Sequence, residues 1–332
     1  MTETVLELNN LSVTYGKKDR KTYAVQDVSL SLKKGEALGV VGESGCGKTT
    51  VAMALMGLLD SRTEVTGEMV LLGKKYDLSK MSYNDWRPIR GSKIAMVFQD
   101  SLAALNPLKK IGEQIAEAIY VKKQKSKKQA REQALKLLKL VEIPDPARRF
   151  NQYPHECSGG MRQRAMIAMA LSNNPDVLIC DEPTTALDVT VQAQILALIK
   201  KLQNEIGMAV ILVTHDLGVV NAVTDDIAVM YASSIIETGS TPETIAKQYH
   251  PYTCDLLHAM PDIAAPKGDL HSIPGVPPTL NREFTWCPYG PRCKYHDDKC
   301  DEQMPDLIEL STGRFCACVH PLNISQKEVA NG

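Results

Sequence analysis

The segment Gly42–Thr49, with the sequence GESGCGKT, is the feature that most restricts what this chain can fold into. It follows the apolar run Ala37–Val41 and leads into Thr50–Met56, where apolar residues predominate. This order is typical of a strand, a glycine-rich turn and a helix, the context that a phosphate-binding loop requires. The alternative is a structural glycine turn, and a chance match would arise in on the order of one in a hundred chains of this length.

The residue types of this segment suit phosphate binding. Glycines adopt backbone angles that side chains forbid, so successive amide N–H groups converge on phosphate oxygens. The start of the following helix adds the positive end of its dipole. We expect Lys48 to reach the outer phosphates and the Thr49 hydroxyl to bind Mg²⁺. The nucleotide contacts predicted here come from Gly42, Ser44, Gly45, Cys46, Gly47, Lys48, Thr49 and Thr50.

Composition narrows the class of protein. The 332 residues allow two domains or one large one, with a sizeable core. A formal net charge of −1 argues against a nucleic-acid partner, and the basic run 122–128 is best explained as a solvated helix face. No segment approaches the roughly 18 uncharged apolar residues of a membrane span, and the first residues lack the features of a secretory signal. We therefore expect a cytoplasmic chain that reaches the membrane through partners, without a lipid anchor.

Polar residues stand where predicted buried strands end. Gln99, the pair Asp181 and Glu182, and His215 each close or follow an apolar run. Open α/β sheets bind ligands at the carboxyl ends of their strands. In a P-loop protein, Asp181 would bind Mg²⁺ and Glu182 would polarise a water molecule. Gln99 could reach Mg²⁺ or that water, and His215 could contact a γ-phosphate. Ordinary polar strand ends are the alternative interpretation.

A second anion-binding helix start is indicated farther along the chain. Ser158 can cap a helix that begins near Gly160, and Gly159 and Gly160 leave the backbone open to close approach by a ligand. A plain N-cap is the alternative. Between Gln99 and this point, residues 112–141 show helical periodicity and predict a helical insertion.

Local patterns predict several further elements. The predicted elements are half-buried strands at 5–12 and 24–32, a hairpin turn at 33–36 into the strand before the glycine-rich loop, a hairpin at 67–72 and 75–76 with Gly73 at its turn, a helix at 190–206, and two last core strands at 228–231 and 234–237. Tyr15, after the first strand, could stack on a nucleotide base. Tyr23 is the competing candidate, and a strand-end aromatic is the third interpretation.

In this order the elements resemble the nucleotide-binding subunit of an ABC transporter over roughly residues 4–330. The matching motifs are Gly42–Thr49 (Walker A), Gln99 (Q-loop), Cys157–Gln163 (signature), Val177–Glu182 (Walker B and catalytic glutamate), Ala186–Asp188 (D-loop) and His215 (switch histidine). The resemblance implies further nucleotide contacts from Tyr15, Gln99, Ser158, Gly159, Gly160, Gln163, Asp181 and Asp188. It also implies Mg²⁺ ligands among Thr49, Gln99 and Asp181, and catalytic roles for Glu182, His215, Gln99 and Lys48.

More narrowly, the chain resembles the dipeptide, oligopeptide and nickel importer branch. The matching segments are YPHE at 153–156, residues 158–164, HPYT at 250–253, IPGVPP at 273–278 and the cysteine-rich tail. Cys157 stands where the signature usually has Leu or Phe, Ser101 replaces a common Pro, and 233–234 replace a usual Gly-basic pair. None of these departures removes a catalytic group, so the resemblance implies an active ATPase.

This resemblance implies an α/β fold of the P-loop NTPase class. The expected parts are an N-terminal antiparallel β subdomain, a helical subdomain inserted at about 100–165, and a small cysteine-rich C-terminal extension. The expected domains are an ABC ATPase domain at 1–260 and, at 261–332, a proline-rich arm followed by a cysteine-rich region of the oligopeptide-transporter type.

A mechanism and a set of partners follow from the same resemblance. Two such subunits pack head to tail, so the phosphate loop of one faces the Ser158 segment of the other across ATP. Glu182 polarises the attacking water, while Lys48 and Mg²⁺ stabilise charge on the phosphoryl group. The implied partners are a related second ATPase, two transmembrane permease subunits and an extracytoplasmic binding protein. A homodimer of ATPases stays open.

Five of the nine cysteines crowd the C-terminal part of the chain, at 287, 293, 300, 316 and 318. A reducing compartment argues against a disulfide framework. Four thiolates could hold zinc or an iron–sulfur cluster, and spacing alone does not decide between these and unligated buried thiols. The importer branch includes members with a C-terminal four-iron four-sulfur cluster. By that resemblance the expected ligands are Cys287, Cys293, Cys300 and Cys318, with Cys316 as the spare.

The leading hypothesis is an ATPase subunit at the cytoplasmic face of the membrane that powers import of dipeptides or oligopeptides. Nickel chelates and oligosaccharides are alternative cargoes, because the ATPase itself does not touch the cargo. A non-transport ABC ATPase in repair or translation would show a long coiled-coil insertion or tandem cassettes, and neither is evident. A stand-alone P-loop kinase would not need Cys157–Gln163.

Overall fold

The computed structural model describes residues 3–17, 20–123, 126–259 and 272–324. The strands in these ranges are β1 (Thr4–Tyr15), β2 (Thr22–Lys33), β3 (Ala37–Val41), β4 (Glu64–Leu71), β5 (Lys74–Asp77), β6 (Ile94–Val97), β7 (Val177–Asp181), β8 (Ala209–Thr214), β9 (Asp226–Tyr231), β10 (Ser234–Ser240), β11 (Ile308–Ser311) and β12 (Arg314–Cys316). Residues 261–271 of the predicted proline-rich arm and 124–125 of the basic run lie outside the described residues.

The α-helices in the described parts of the chain vary in length from a single turn to 18 residues. They are α1 (Lys48–Leu55), α2 (Tyr83–Trp86), α3 (Ser101–Ala104), α4 (Ile111–Lys123), α5 (Lys127–Leu140), α6 (Pro146–Phe150), α7 (Gly159–Ala170), α8 (Val189–Ile206), α9 (Leu217–Val223), α10 (Thr241–Ala246), α11 (Pro251–His258) and α12 (Lys299–Glu302). Three 3-10 turns lie at Pro154–Glu156, Leu171–Asn173 and Gly290–Arg292.

The chain divides into two units, each with its own dense contacts. The helical unit contains Met1–Val5, Lys33–Gly35 and Met81–Ile211. The β-rich unit contains Leu6–Leu32, Glu36–Lys80 and Leu212–Gly332. The division falls inside β8.

A four-stranded sheet in the β-rich unit has the order β2-β1-β4-β5. Strands β1 and β4 are antiparallel, with Leu6 opposite Leu71 and Leu8 opposite Met69, and these side chains are buried. Strands β4 and β5 form the predicted hairpin, with Gly73 at a φ of +75° in its turn. The alternation of buried and exposed residues therefore placed the strands of this sheet correctly.

A mixed sheet in the β-rich unit contains the strand before the glycine-rich loop. Strand β3 is parallel to β9, β9 is antiparallel to β10, and β10 is antiparallel to β12. The predicted hairpin at 33–36 is wrong, because β2 lies in the four-stranded sheet and β3 in the mixed one. All five residues of β3 are buried, as expected of a strand in a sheet covered on both faces, whereas β2 alternates.

Strands β11 and β12, which the sequence did not predict, extend this mixed sheet. They come from the C-terminal extension, defined here as residues 272–324. Glu237 of β10 lies opposite Cys316 of β12, and β12 in turn pairs with β11. The extension therefore belongs to the same sheet as the strand that carries the glycine-rich loop.

The core of the β-rich unit also joins the extension to that strand. Tyr231, Tyr252 and Tyr289 lie with ring centroids 4.6 to 5.4 Å apart, in the same buried cluster as Val41. Tilted and edge-on aromatic pairs at this spacing add to the stabilisation from burial. Tyr289 belongs to the extension, so its ring packs directly on the core beneath β3.

The helical unit contains the parallel pair β6 and β7 and most of the helices. The predicted helical stretch 112–141 is two helices, α4 and α5. Ser126 caps α5 by accepting from the N–H of Gln129 at 3.3 Å, and the Gln129 side chain bonds back to the Ser126 N–H. Such a capping box starts a new helix. The predicted helix at 190–206 is confirmed as α8, which ends at Gly207 with a φ of +71°.

None of the helices in the described part of the chain is long and apolar enough to cross a membrane. The longest, α8, alternates buried and exposed residues along its length.

Candidate functional site

The glycine-rich loop connects the buried strand β3 to helix α1, as predicted. Gly47 caps this helix with a φ of +110°, and a Cβ there would lie 2.2 Å from the carbonyl oxygen of Ala24. Gly42 has a φ of +154°, and a Cβ there would lie 2.2 Å from the carbonyl oxygen of Met230. Both positions therefore require glycine, for backbone angle and for space.

Lys48 turns back into the loop that precedes it. Its side chain is buried, and Nζ donates to the carbonyl oxygens of Gly42 at 2.8 Å and Glu43 at 2.9 Å. Cys46 is buried beside it, and this burial raises the pKa of its thiol, so Cys46 stays neutral. A positive charge held inside a glycine-rich loop is the arrangement that attracts phosphate.

The remaining predicted residues of the loop lie on its open side. Ser44, Gly45 and Thr49 are exposed, and Thr50 is half-buried. Tyr15 at the end of β1 donates through its hydroxyl to Oγ1 of Thr50 at 3.4 Å. Tyr23, the competing aromatic, is held by its backbone, with its N–H donating to the carbonyl oxygen of Leu280 at 2.7 Å.

His215 lies in the β-rich unit, directly after β8, and is exposed. The following residue, Asp216, caps α9 by accepting from the N–H groups of Gly218 and Val219 at 2.8 and 3.1 Å. The capped turn fixes the direction of the chain where His215 leaves the sheet.

Gln99 and Glu182 meet in the helical unit. Strands β6 and β7 pair in parallel with Val97 opposite Cys180, so the residues that follow both strands emerge at the same sheet edge. Nε2 of Gln99 donates to Oε2 of Glu182 at 3.1 Å, and the Thr185 hydroxyl donates to the same oxygen at 2.8 Å. The Glu182 carboxylate is thereby oriented by two donors.

The backbone at Glu182 is strained. Its φ is +43°, in the left-handed region that residues other than glycine rarely adopt. Asp181, the last residue of β7, has ordinary strand geometry and is 4% exposed. A residue held in a strained conformation by its surroundings is a frequent feature of functional sites, because the strain fixes the side chain in one direction.

The second helix start is built on Ser158, whose hydroxyl accepts from the N–H of Met161 at 3.4 Å as the N-cap of α7. Gly160 serves packing as well as access, since a Cβ there would lie 2.7 Å from Cγ1 of Val191 in α8. Gly159 is less crowded, with Leu187 at 3.2 Å from its would-be Cβ.

Three other residues of the signature and D-loop segments are placed as follows. Cys157 is 5% exposed and packs as a small apolar residue. Gln163 is 2% exposed within α7, which leaves little of its side chain for a ligand to touch. Asp188 caps α8 and accepts from the N–H of Val191 at 3.0 Å.

Four of the five tail cysteines line one cavity of the extension, which we call the thiol cavity. Its cysteines are Cys287, Cys293, Cys300 and Cys318. Cys316 is fully buried in β12 and is not among the residues that line the cavity. The cavity wall also includes Tyr289, Gly290 and His320.

The donors of the thiol cavity suit a soft metal group. Burial raises the pKa of Cys287 to about 11 and that of Cys318 to about 12, so without a cation these thiols stay protonated. Backbone N–H groups of Tyr295 and His320 donate to the sulfurs of Cys293 and Cys318, each at 3.4 Å. Amide hydrogen bonds of this kind stabilise thiolates, and a bound metal deprotonates its thiol ligands outright.

One mixed group of possible ligands lies at the same place. Among the described residues, Asp297, Cys300 and His320 bring their ligand atoms within 4.8 Å of one another. Nε2 of His320 is 2.8 Å from Oδ1 of Asp297. This set has the ligand types that zinc accepts, so the donor chemistry also suits zinc.

Two buried ion pairs at the extension were not found by sequence reasoning. Arg292 pairs with Glu43 of the glycine-rich loop, and Arg314 pairs with Glu237 at 3.2 Å. Both arginines come shortly before a cysteine-containing stretch, but nothing in the sequence names their partners. The contact between Arg292 and Glu43 ties the extension to the loop.

Comparison with known proteins agrees with these features. The ABC transporter family matches residues 25–185, and the C-terminal region of oligopeptide/dipeptide transporters matches residues 236–300. A probable peptide ABC transporter ATP-binding protein of Sinorhizobium fredii is 45% identical over 95% of this chain and 94% of its own length. The dipeptide transport ATP-binding protein of Bacillus subtilis is 46% identical over 95% of this chain and 94% of its own length.

A solved structure confirms the expected P-loop fold of the ABC type. It is a dimeric post-hydrolysis state of an ATP-binding cassette bound to ADP and phosphate, with a TM-score of 0.63 and 31% identity. The match covers 71% of this chain and 98% of the solved one. The chain therefore belongs to the peptide ABC transporter ATP-binding proteins and is an ABC-type ATPase.

Proposed function

We propose that this chain is the ATP-hydrolysing subunit of a multi-subunit ABC transporter that imports dipeptides or oligopeptides across the cytoplasmic membrane. The observation that carries the proposal is the match along 95% of the chain to peptide and dipeptide transport proteins, including the C-terminal region matched at 236–300. Nickel chelates and oligosaccharides are the alternative cargoes.

In this proposal the glycine-rich loop binds the phosphates of ATP and Tyr15 stacks on the base. Lys48 and the backbone N–H groups of the loop stabilise charge on the transferred phosphoryl group. Thr49, Asp181 and Gln99 would hold Mg²⁺, which when bound neutralises phosphate charge. The support for the phosphate contacts is the buried ammonium of Lys48 inside the loop.

Glu182 is proposed to orient and polarise the attacking water. Its support is the carboxylate oxygen fixed by Gln99 and Thr185, together with the strained backbone that aims it. His215 is proposed to contact the γ-phosphate. The role proposed for Glu182 is that of a general base, and the role proposed for His215 is electrostatic. Each role requires a fixed group within hydrogen-bond reach of the reacting atoms.

The Ser158 segment is proposed to complete the nucleotide site of a second ATPase subunit. Ser158, Gly159 and Gly160 would contact ATP from the start of α7, and Asp188 from the start of α8. Gln163, which the resemblance also implied as a contact, is buried within α7 and is left out of this proposal. The dimeric state of the cassette bound to ADP and phosphate supports this arrangement. The second ATPase is proposed to be a related but distinct chain, with two permease subunits and an extracytoplasmic binding protein completing the transporter at the cytoplasmic face of the membrane.

We also propose that the thiol cavity holds a four-iron four-sulfur cluster on Cys287, Cys293, Cys300 and Cys318. The lining of one cavity by these sulfurs supports the proposal. A bound cluster would tie the segments of the extension together and thereby stabilise its fold. Zinc is the alternative, in which Asp297 and His320 offer further ligands. Visible absorption and iron analysis on anaerobically purified protein test it; colourless protein containing zinc contradicts it.

The cargo is tested by uptake in cells that lack this chain. Labelled dipeptide and tripeptide uptake should be lost, should return with the wild-type chain, and should not return with Glu182→Gln. Normal peptide uptake with a loss of nickel or oligosaccharide uptake would move the assignment to those cargoes.

A further inference from the structure

Arg292 and Glu43 form a two-point ion pair across 249 residues of sequence. Nη1 of Arg292 donates to Oε2 of Glu43 at 2.6 Å, and Nη2 donates to Oε1 at 3.0 Å. The Arg292 side chain is 4% exposed and the Glu43 side chain 23%. A planar guanidinium that holds both oxygens of a carboxylate restricts its position more than a single contact does. The pair fastens the extension to the glycine-rich loop.

Glu43 is held at every polar group that it has. Its N–H donates to the Tyr252 hydroxyl at 2.9 Å, and its carboxylate is bound by Arg292. Its carbonyl oxygen accepts from Nζ of Lys48 at 2.9 Å. A displacement of Glu43 therefore moves an oxygen that positions the Lys48 ammonium.

Arg292 is itself fixed by groups outside the loop. Nε donates to the carbonyl oxygen of Pro274 at 2.7 Å, and Nη1 donates to the Tyr231 hydroxyl at 3.2 Å. These bonds point the guanidinium at Glu43. Glu43, Tyr231, Pro274 and Arg292 all belong to the β-rich unit, so the contact lies within that unit.

The turn that carries Arg292 also shapes the thiol cavity. Arg292 ends the 3-10 turn Gly290–Arg292, and its N–H donates to the carbonyl oxygen of Tyr289 at 2.9 Å. Tyr289 and Gly290, which shortly precede Arg292, and Cys293, which directly follows it, all line the cavity. Whatever binds Cys293 therefore acts on the position of Arg292 through one peptide bond.

We propose that Arg292 is a positioning residue for the phosphate-binding loop and that it couples the thiol cavity to nucleotide affinity. Arg292 fixes Glu43, Glu43 fixes the loop around Lys48, and an ordered turn at Gly290–Arg292 keeps Arg292 in place. The positioning role stands on the contacts of the chain alone, whereas the coupling rests on the proposed metal in the cavity.

The positioning role is tested with Arg292→Gln in the full chain. Loss of a buried bidentate contact should raise the Kd for a fluorescent ATP analogue about tenfold. The KM for ATP should rise by the same factor with kcat nearly unchanged, because Arg292 does not touch the reacting atoms. Arg292→Lys, which keeps the charge and loses the planar fork, should give a smaller rise.

Controls separate this role from a general loss of stability. Arg282, an exposed arginine of the extension that stacks on Trp286 at 4.7 Å, provides the matched variant Arg282→Gln, for which Kd should stay unchanged. In the double variant Glu43→Gln, Arg292→Gln, the effect should equal that of either single change. An unchanged Kd for the ATP analogue in a folded Arg292→Gln or Arg292→Lys protein overturns the positioning role. The role is also overturned if the increases in Kd caused by Glu43→Gln and by Arg292→Gln multiply in the double variant.

The coupling is tested by comparing chelator-stripped protein with protein loaded with Zn²⁺ alone and freed of excess metal. Loaded wild type should bind the ATP analogue about threefold or more tightly, within the usual range of site coupling. The difference should vanish in Arg292→Gln. An equal Kd for the two forms, or a difference that survives in Arg292→Gln, overturns the coupling. If the wild-type chain takes up neither zinc nor iron, the coupling and the proposed metal site are both overturned. The positioning role of Arg292 is tested separately and is not affected by that result.

Discussion

Nε2 of Gln99 donates to Oε2 of Glu182, a residue 83 positions away, at 3.1 Å. The parallel register of β6 and β7 accounts for this contact, because Val97 and Cys180 lie opposite each other and both strands end two residues or fewer before the two polar groups. Two motifs that are remote in sequence therefore act on one carboxylate oxygen. The pairing of the strands, and not either motif alone, decides where that oxygen points.

The Glu182→Gln variant should keep ATP binding and lose turnover. A carboxamide has nearly the shape of the carboxylate but cannot accept a proton, so kcat should fall by about a hundredfold to ten-thousandfold. Steady-state phosphate release and equilibrium nucleotide binding are the measurements. Glu205→Gln, the same change at an exposed position of α8, should leave both quantities unchanged. Hydrolysis at the wild-type rate would contradict the role proposed for Glu182.

Alanine at Gly47 and at Gly45 should have unequal effects on folding. Both glycines have positive φ, but only at Gly47 would a Cβ meet backbone, the carbonyl oxygen of Ala24 at 2.2 Å. Gly45 has nothing within 4 Å, so Gly45→Ala should cost about 1 kcal/mol from backbone strain alone. Gly47→Ala should lower the free energy of unfolding by clearly more than Gly45→Ala does. Urea unfolding measures both free energies, and equal losses would show that the close approach to Ala24 does not matter.

The Tyr15→Ala variant should weaken ATP binding, whereas Tyr15→Phe should not. Stacking of a base on an aromatic ring contributes about 1–3 kcal/mol, and phenylalanine retains the ring. The hydroxyl contact with Thr50 is long, at 3.4 Å, so its loss should matter little. Tyr23→Ala is the matched control. A loss of affinity with Tyr23→Ala and none with Tyr15→Ala would transfer the role to Tyr23.

Removal of Cys318 and removal of Cys316 should differ in metal content. Cys318 lines the thiol cavity and Cys316 does not. Cys318→Ala should therefore lower the metal bound per chain and reduce stability against urea to that of chelator-treated wild type. Cys316→Ala should keep the metal, with only the small cost of a trimmed buried side chain. Full metal content in Cys318→Ala, measured by elemental analysis, would contradict the ligand set.

Local structure was predictable wherever a backbone preference decided it. The glycine-rich turn between β3 and α1, the hairpin about Gly73 and the helix that ends before Gly207 were each indicated by residues within one element. The hairpin predicted at 33–36 is wrong, because a charged turn with glycine joins strands of different sheets as readily as it joins neighbouring strands of one sheet. The helical periodicity expected over 112–141 is confirmed as the two helices α4 and α5, and the capping box of Ser126 and Gln129 starts the second of them.

The sequence by itself determined the phosphate-binding loop, because the positive φ angles at Gly42 and Gly47 are properties of a short segment. The crowding at these two glycines comes from Met230 and Ala24 and belongs to the tertiary structure. Only the tertiary structure decided that β12 of the extension joins β10 and that Arg292 binds Glu43. These contacts join residues tens to hundreds of positions apart. Their partners are selected by burial and by the geometry of the assembled sheet, and neither is encoded in the spacing of nearby residues.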